Sequence, residues 1–192
     1  MSHHKIEIQD LCFTYPDGRR AIRDASFSIY HGESVGIIGA NGAGKSTLLM
    51  LLMGILQADT GEINIGDMRL TKKTIPLIRR RIGLVFQDPD DQLFMTTVGE
   101  DVAFGPRNLG LTEDEVEERV AAALAQVGIL HLASRAPSRL SGGEKRAAAI
   151  ASVLSLRPDI LIMDEPTASL DPKSRRRVMT LLRDVMGTGL LT

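Results

Sequence analysis

Residues Ser34–Thr47, SVGIIGANGAGKST, join two unlike halves across a glycine-rich centre. SVGIIG is a short continuous apolar run, the pattern of a strand buried on both faces; KSTLLMLLMG has helix composition and a plausible C-cap at Gly54. Between them Gly39–Ser46, GANGAGKS, fits G-x-x-x-x-G-K-[ST] in the strand-then-helix context that gives that pattern its meaning. Each residue type has a physical reason. Gly39, Gly42 and Gly44 let the backbone bend around a polyphosphate so that N–H groups point inward, Asn41 and Ala43 included, and the helix start adds about half a positive charge. Lys45 can reach the outer phosphates, the Ser46 hydroxyl can ligate Mg²⁺, and Thr47 follows on the same turn. A simple glycine-rich turn accounts for the glycines but not for Lys45 and Ser46 at the required offset.

Outward from this loop, KIEIQDLCF and ASFSIY alternate as half-buried strands do, and YPDG between them is a turn signal. GEINIGD and RIGLVFQ read as further strands. From Asp88 to about Arg157 no strand pattern stands out and helical patterns take over: Thr112 and Glu115 form a capping box for a helix running to Val127, and a second helix covers Glu144–Leu154. Strand character returns in DILIMD, followed by a turn and a basic helix over Pro172–Met186. The expectation is an α/β core, residues 1–87 and 158–192, interrupted by a helical insert over 88–157.

ILIMDE, Ile160–Glu165, delivers two acids at a strand's C-terminal end, where open α/β sheets place ligands. Neighbours on a strand face opposite ways, so Asp164 can hold a Mg²⁺ shell while Glu165 orients and deprotonates an attacking water. In LSGGEKR, Leu140–Arg146, Ser141 and Glu144 again satisfy a capping box. Two adjacent glycines at a helix start are poor for stability, each costing about 1 kcal/mol against Ala if inside the helix. Their use is close backbone approach, and Ser141, Gly142 and Gly143 become a second phosphate-facing helix end.

GANGAGKST, LSGGE and ILIMDEPTASLD, in that order, resemble the nucleotide-binding ATPase of the ATP-binding cassette superfamily, and the likeness covers essentially the whole chain. The resemblance implies a P-loop NTPase core with an N-terminal antiparallel β subdomain and an inserted helical subdomain. It also implies a head-to-tail dimer with a second ATPase subunit, each ATP held between one P-loop and the Ser141–Gly143 segment of the other subunit. Tyr15 lies where such proteins stack an aromatic on adenine; a strand-end tyrosine packed on the turn is the lesser alternative. Gln87 matches the glutamine that touches Mg²⁺ and the attacking water and transmits nucleotide state to a membrane partner. Ser169, Leu170 and Asp171 match a loop that crosses the dimer interface, or make an Asp-Pro turn. Catalysis in this resemblance falls to Glu165, Gln87 and Lys45, and the metal to Ser46, Gln87 and Asp164.

Phe86–Leu111, FQDPDDQLFMTTVGEDVAFGPRNLGL, resembles energy-coupling factor importers, in which paired ATPases drive a transmembrane coupling protein and a substrate-capturing membrane protein. Such systems take up cobalt, nickel or vitamins. Glu144 stands where members more often have Gln, and Ala147 where they have a basic residue. Members continue past the last helix into another strand and a histidine at the γ-phosphate; TGLLT resembles the start of that strand, and no histidine follows His131. A chain ending there would bind ATP with reduced turnover. A soluble relative acting on DNA or in translation would share the nucleotide motifs.

The rest of the composition narrows the field. The 192 residues are 43% apolar and 24% charged with a net charge of −1, so a folded domain is expected and no basic field points to nucleic acid. KSRRR, Lys173–Arg177, lacks interleaved aromatics and reads as a solvated helix face. LLMLLMGIL is far shorter than the roughly 20 residues of a membrane span. A lone Cys12 cannot form an internal disulfide and MSHHKIEIQD has no apolar signal segment, so a reducing cytoplasm is the natural compartment; His3, His4, His31 and His131 are scattered without metal-ligand spacing. The resemblance implies a peripheral place at the cytoplasmic face of the membrane, held there through the partners.

Overall fold

The computed structural model describes residues 4–168 and 170–186, so Ser169 and the closing GTGLLT lie outside the described residues. The chain divides into two compact units, the first ending at Ile82 and the second beginning at Gly83.

The first unit is built on an antiparallel sheet in the order β2-β1-β3-β4, with β1 at His4–Thr14, β2 at Arg20–Tyr30, β3 at Thr60–Ile65 and β4 at Met68–Arg69. The parity of β1 changes midway: Ile6 and Ile8 are buried, and then Leu11 and Phe13. A strict two-residue repeat cannot bury both pairs on one face, and the mismatch is absorbed at Asp10, whose φ is +49 and where the pairing register shifts. The Asp10 amide is held by Ser26 Oγ at 2.8 Å. Gly61 faces this bulge at φ +89; a Cβ there would lie 2.5 Å from the carbonyl oxygens of both Gln9 and Asp10. Helices α1 (Lys45–Leu52) and α2 (Ile75–Arg81) complete the unit, with Leu51 and Ile78 fully buried.

The apolar run SVGIIG does not form the expected strand. Residues 34–40 are irregular, and Ile38 is 97% exposed. A run buried on both faces needs a ladder partner on each side, and none of the described strands pairs with it. The other expected strands form, although RIGLVFQ is regular only over β5, Ile82–Val85, which leaves Phe86 and Gln87 beyond the strand.

In the second unit β5 lies beside β6 (Ile160–Met163). Helices α3 (Val98–Asn108), α4 (Glu113–Gln126), α5 (Gly142–Leu154) and α6 (Pro172–Met186) pack around a core that includes Val85, Val102, Leu124, Ile150, Leu161 and Val185. Both expected capping boxes form: Thr112 with Glu115 starts α4, and Ser141 with Glu144 starts α5. Arg175, Arg176 and Arg177 are exposed on α6, as a solvated face requires. The described elements make a mixed α/β fold, with a four-stranded antiparallel sheet in the first unit and helices packed around a two-stranded sheet in the second. Among the described residues no helix is long and apolar enough to cross a membrane.

Candidate functional site

In the first unit the loop before α1 turns through Gly42 at φ +79 and Gly44 at φ +96, conformations that side chains disfavour. Gly44 is the N-cap of α1, so the helix start opens directly into the loop. Lys45 Nζ folds back across this loop and donates to the carbonyls of Gly39 at 2.9 Å and Ala40 at 3.2 Å. Asn41 and Ala43 are exposed, Ser46 is half-buried on the first turn, and Thr47 is buried.

Tyr15, just past β1, shares a hydrogen bond of 2.9 Å between its hydroxyl and Thr47 Oγ1. Its ring packs edge-to-face with that of Phe13, centroids 4.9 Å apart, and the Arg19 guanidinium lies 4.7 Å from the ring centroid. The described state therefore pins Tyr15 to the helix that follows the glycine-rich loop, a tie that sequence reading missed and that no local pattern signals.

In the second unit, the ends of β5 and β6 bring Gln87 and Glu165 together: Gln87 Nε2 donates to Glu165 Oε2 at 3.1 Å. Glu165 has φ +46, a left-handed conformation that costs a β-carbon-bearing residue about 1–2 kcal/mol. Strain of this kind turns the chain sharply after Asp164, whose amide still reaches the Val85 carbonyl at 3.2 Å. One acid thus sits just past the strand while the next projects out toward Gln87.

Ser141 Oγ donates to Glu144 Oε2 at 2.7 Å and accepts from the Glu144 amide, so this hydroxyl is committed to the cap. Backbone N–H and hydroxyl donation from Ser141 hold the Glu144 carboxyl below the usual carboxylate range. Gly143 also has a packing reason to be glycine: a Cβ would stand 3.0 Å from Ser174 Oγ of α6. Asp171 Oδ1 accepts from the amides of Lys173 and Ser174 at 2.9 and 3.1 Å, the expected turn ahead of α6. Leu170 packs against the core.

Sequence reading passed over three further residues. Arg146 is 2% exposed, yet it donates through Nη1 to the Phe86 carbonyl at 2.7 Å and through Nη2 to the Gln87 carbonyl at 2.5 Å. Its position was readable, because Arg146 shares the helical stripe of Ile150, Val153 and Leu154. Gln92 closes the same loop, accepting from the Phe86 amide at 3.1 Å and donating to the Ala149 carbonyl at 2.8 Å. Asp101 is buried under Phe94 and Met95, whose amides donate to its Oδ1 at 2.9 and 3.0 Å.

The candidate donors are an ammonium, hydroxyls, a carboxamide and carboxylates, a hard set that fits a polyphosphate with Mg²⁺ rather than a soft metal. Among the described residues no cluster of three or more His, Cys, Asp or Glu side chains could hold a metal by itself.

A family model described as ABC transporter matches residues 22–168. A Geobacter sulfurreducens protein carrying an ABC transporter ATP-binding description is 60% identical over 192 residues, which is 100% of this chain and 77% of that protein. The energy-coupling factor transporter ATP-binding protein EcfA of Methanothermobacter thermautotrophicus is 50% identical over 187 residues, 96% of this chain and 60% of its own length. Among solved structures, cbiO1 from Clostridium perfringens, part of the ABC transporter complex cbiONQ, matches with a TM-score of 0.91 at 39% identity, over 99% of this chain and 78% of that one. With its phosphate-loop and acid-bearing segments folded as described and this likeness along its whole length, the chain belongs to the ABC transporter family of ATP-binding domains.

Proposed function

We propose that the chain is the ATP-binding and ATP-hydrolysing subunit of an energy-coupling factor importer that takes up cobalt or nickel ions. The observation that carries hydrolysis is the pairing of Gln87 with a strained Glu165. With Gln87 Nε2 donating to one carboxylate oxygen, Gln87 Oε1 and the other Glu165 oxygen remain free to accept from a single water, orienting it and taking its proton. Ser46 of the first unit and Asp164 and Gln87 of the second are the residues that would hold Mg²⁺, which would neutralise charge on the phosphates. Lys45 exchanges the Gly39 and Ala40 carbonyls for phosphate oxygens, and the loop amides from Gly39 to Thr47 take the rest. Tyr15 takes the adenine after releasing Thr47, and Ser141, Gly142 and Gly143 face the nucleotide of a second ATPase subunit. In this reading residues 1–87 and 158–192 form the core and 88–157 the helical insert.

The membrane partners dock, in this reading, on exposed aromatics of the second unit. Phe94 is 63% exposed and packs edge-on against Phe104 with ring centroids 5.0 Å apart. Such a patch suits an apolar helix from a coupling protein, which would keep the ATPase at the cytoplasmic face. The names of EcfA and of the cbiONQ complex support this assembly. A vitamin cargo is the second reading, because partners and not the ATPase touch the cargo. Uptake of labelled cobalt or nickel by cells co-expressing the chain with its membrane partners tests the proposal. Uptake abolished by Lys45→Ala is expected; metal uptake indifferent to Lys45, or a chain that captures no integral membrane protein, would contradict it.

A further inference from the structure

The backbone just past β5 is held in an unusual way. Side chains take both backbone groups of Phe86: the amide donates to Gln92 Oε1 at 3.1 Å and the carbonyl accepts from Arg146 Nη1 at 2.7 Å. The next carbonyl, that of Gln87, accepts from Arg146 Nη2 at 2.5 Å. Two further ties fasten the same loop to α5: Lys145 Nζ reaches both Asp90 carboxylate oxygens, at 2.6 and 2.9 Å, and Gln92 Nε2 reaches the Ala149 carbonyl and Ser152 Oγ at 2.8 and 2.9 Å.

Arg146 is an expensive choice for this task. It is 2% exposed, no carboxylate pairs with it directly, and its Nε has no partner among the described residues. Phe86 and Gln87 are exposed residues to which water has access, so a buried cation is not the simplest means of satisfying two carbonyls. A planar guanidinium with two diverging N–H groups adds something water does not: it fixes the direction of two successive peptide units at once. The Gln87 peptide sets where its side chain points, and that side chain reaches Glu165.

We propose that Arg146 is a positioning residue for Gln87, holding the glutamine's backbone so that its carboxamide meets Glu165 and the attacking water. The proposal rests on the roles given above to Gln87 and Glu165. It also ties Gln87 to the helix that Ser141 caps and that begins with Gly142 and Gly143, since Arg146 lies about one turn along α5 from them.

The test compares Arg146→Gln, Arg146→Lys, Gln87→Ala and the Arg146→Gln, Gln87→Ala double variant of the full chain. The readouts are Mg²⁺-ATP binding, steady-state phosphate release, and amide hydrogen exchange over residues 86–92. Loss of two charge-assisted bonds should lower kcat about tenfold, leave KM within about twofold, and speed exchange at residues 86–88 by about tenfold. Arg146→Lys, able to restore one bond, should recover part of kcat. In the Gln87→Ala background Arg146→Gln should add less than about twofold. Unchanged exchange at 86–88, or full multiplication of the two effects on kcat, would overturn the role of Arg146 while leaving that of Gln87 intact. Gln87→Ala with normal kcat would overturn both. A matched loss of ATP affinity and melting temperature in both Arg146 variants, without a separate fall in kcat, would reduce Arg146 to a fold-supporting residue and overturn the proposal.

Discussion

Gly42 and Gly44 offer a matched pair of substitutions within one loop. Both sit at positive φ, +79 and +96, so alanine at either position bears the left-handed cost of about 1–2 kcal/mol. Only Gly44 adds a collision. A Cβ at Gly42 meets nothing within 4 Å, whereas at Gly44 it would stand 2.4 Å from the Ala21 carbonyl oxygen and 3.2 Å from Ile22 Cδ1. The first obstacle is backbone of β2 and cannot rotate away, so α1 or β2 must shift, an overpacking cost of about 1–3 kcal/mol. Gly42→Ala should then destabilise by about 1–2 kcal/mol and Gly44→Ala by about 2–5 kcal/mol. Urea unfolding without nucleotide reads this as a shift in midpoint at constant slope. Because Gly44 caps the helix that begins with Lys45, Mg²⁺-ATP affinity should fall with it. Equal stability losses in the two variants would refute the reasoning, since the contact with Ala21 is all that separates them.

Leu161 is fully buried between β5 and the helices, so Leu161→Ala should cost about 2–5 kcal/mol in denaturant unfolding. Thr112→Ala removes half of the α4 capping box and should cost about 1 kcal/mol by the same assay. Burial pushes the Asp101 carboxyl up, opposed by the amides of Phe94 and Met95. The folded state therefore keeps its proton to higher pH than the unfolded chain, and this group's contribution to stability is full below the ordinary carboxylate value and declines as pH rises through the raised one. Asp101→Asn should flatten that decline when melting is followed from pH 4 to 7, and an unchanged profile would contradict the assignment. Phe94→Ser should leave Mg²⁺-ATP binding unaltered while weakening retention of a membrane partner in mild detergent, measured by co-purification.

Much of this architecture was readable because local signals agree. Thr-x-x-Glu and Ser-x-x-Glu mark the N-caps of α4 and α5, although the sequence reading starts α5 at Glu144 and the helix begins at Gly142, and the Asp-Pro turn marks the start of α6. SVGIIG was misread for a complementary reason: an apolar run states what a segment can do when neighbours border it, and no described strand borders residues 34–40. The candidate site divides in the same way. Lys45, Ser46, Asp164 and Glu165 follow from spacing, since motif chemistry is local. Arg146, Gln92 and Asp101 act on backbone groups, 59 residues away in sequence for the Arg146–Gln87 contact, and only the fold brings the partners together. Arg146 alone left a trace, a charge on an apolar stripe. The left-handed Glu165 left none, because an Asp-Glu pair does not announce a sharp turn between its members.

Phosphate release by the full chain and by Glu165→Gln, with Mg²⁺-ATP binding measured in parallel, tests the central claim most directly. The account predicts saturable ATP binding in both proteins and a fall in turnover of about 100-fold or more in the variant, the loss expected for removing a general base. Turnover by Glu165→Gln equal to that of the parent chain, or ATP binding that Lys45→Ala leaves unchanged, would contradict it.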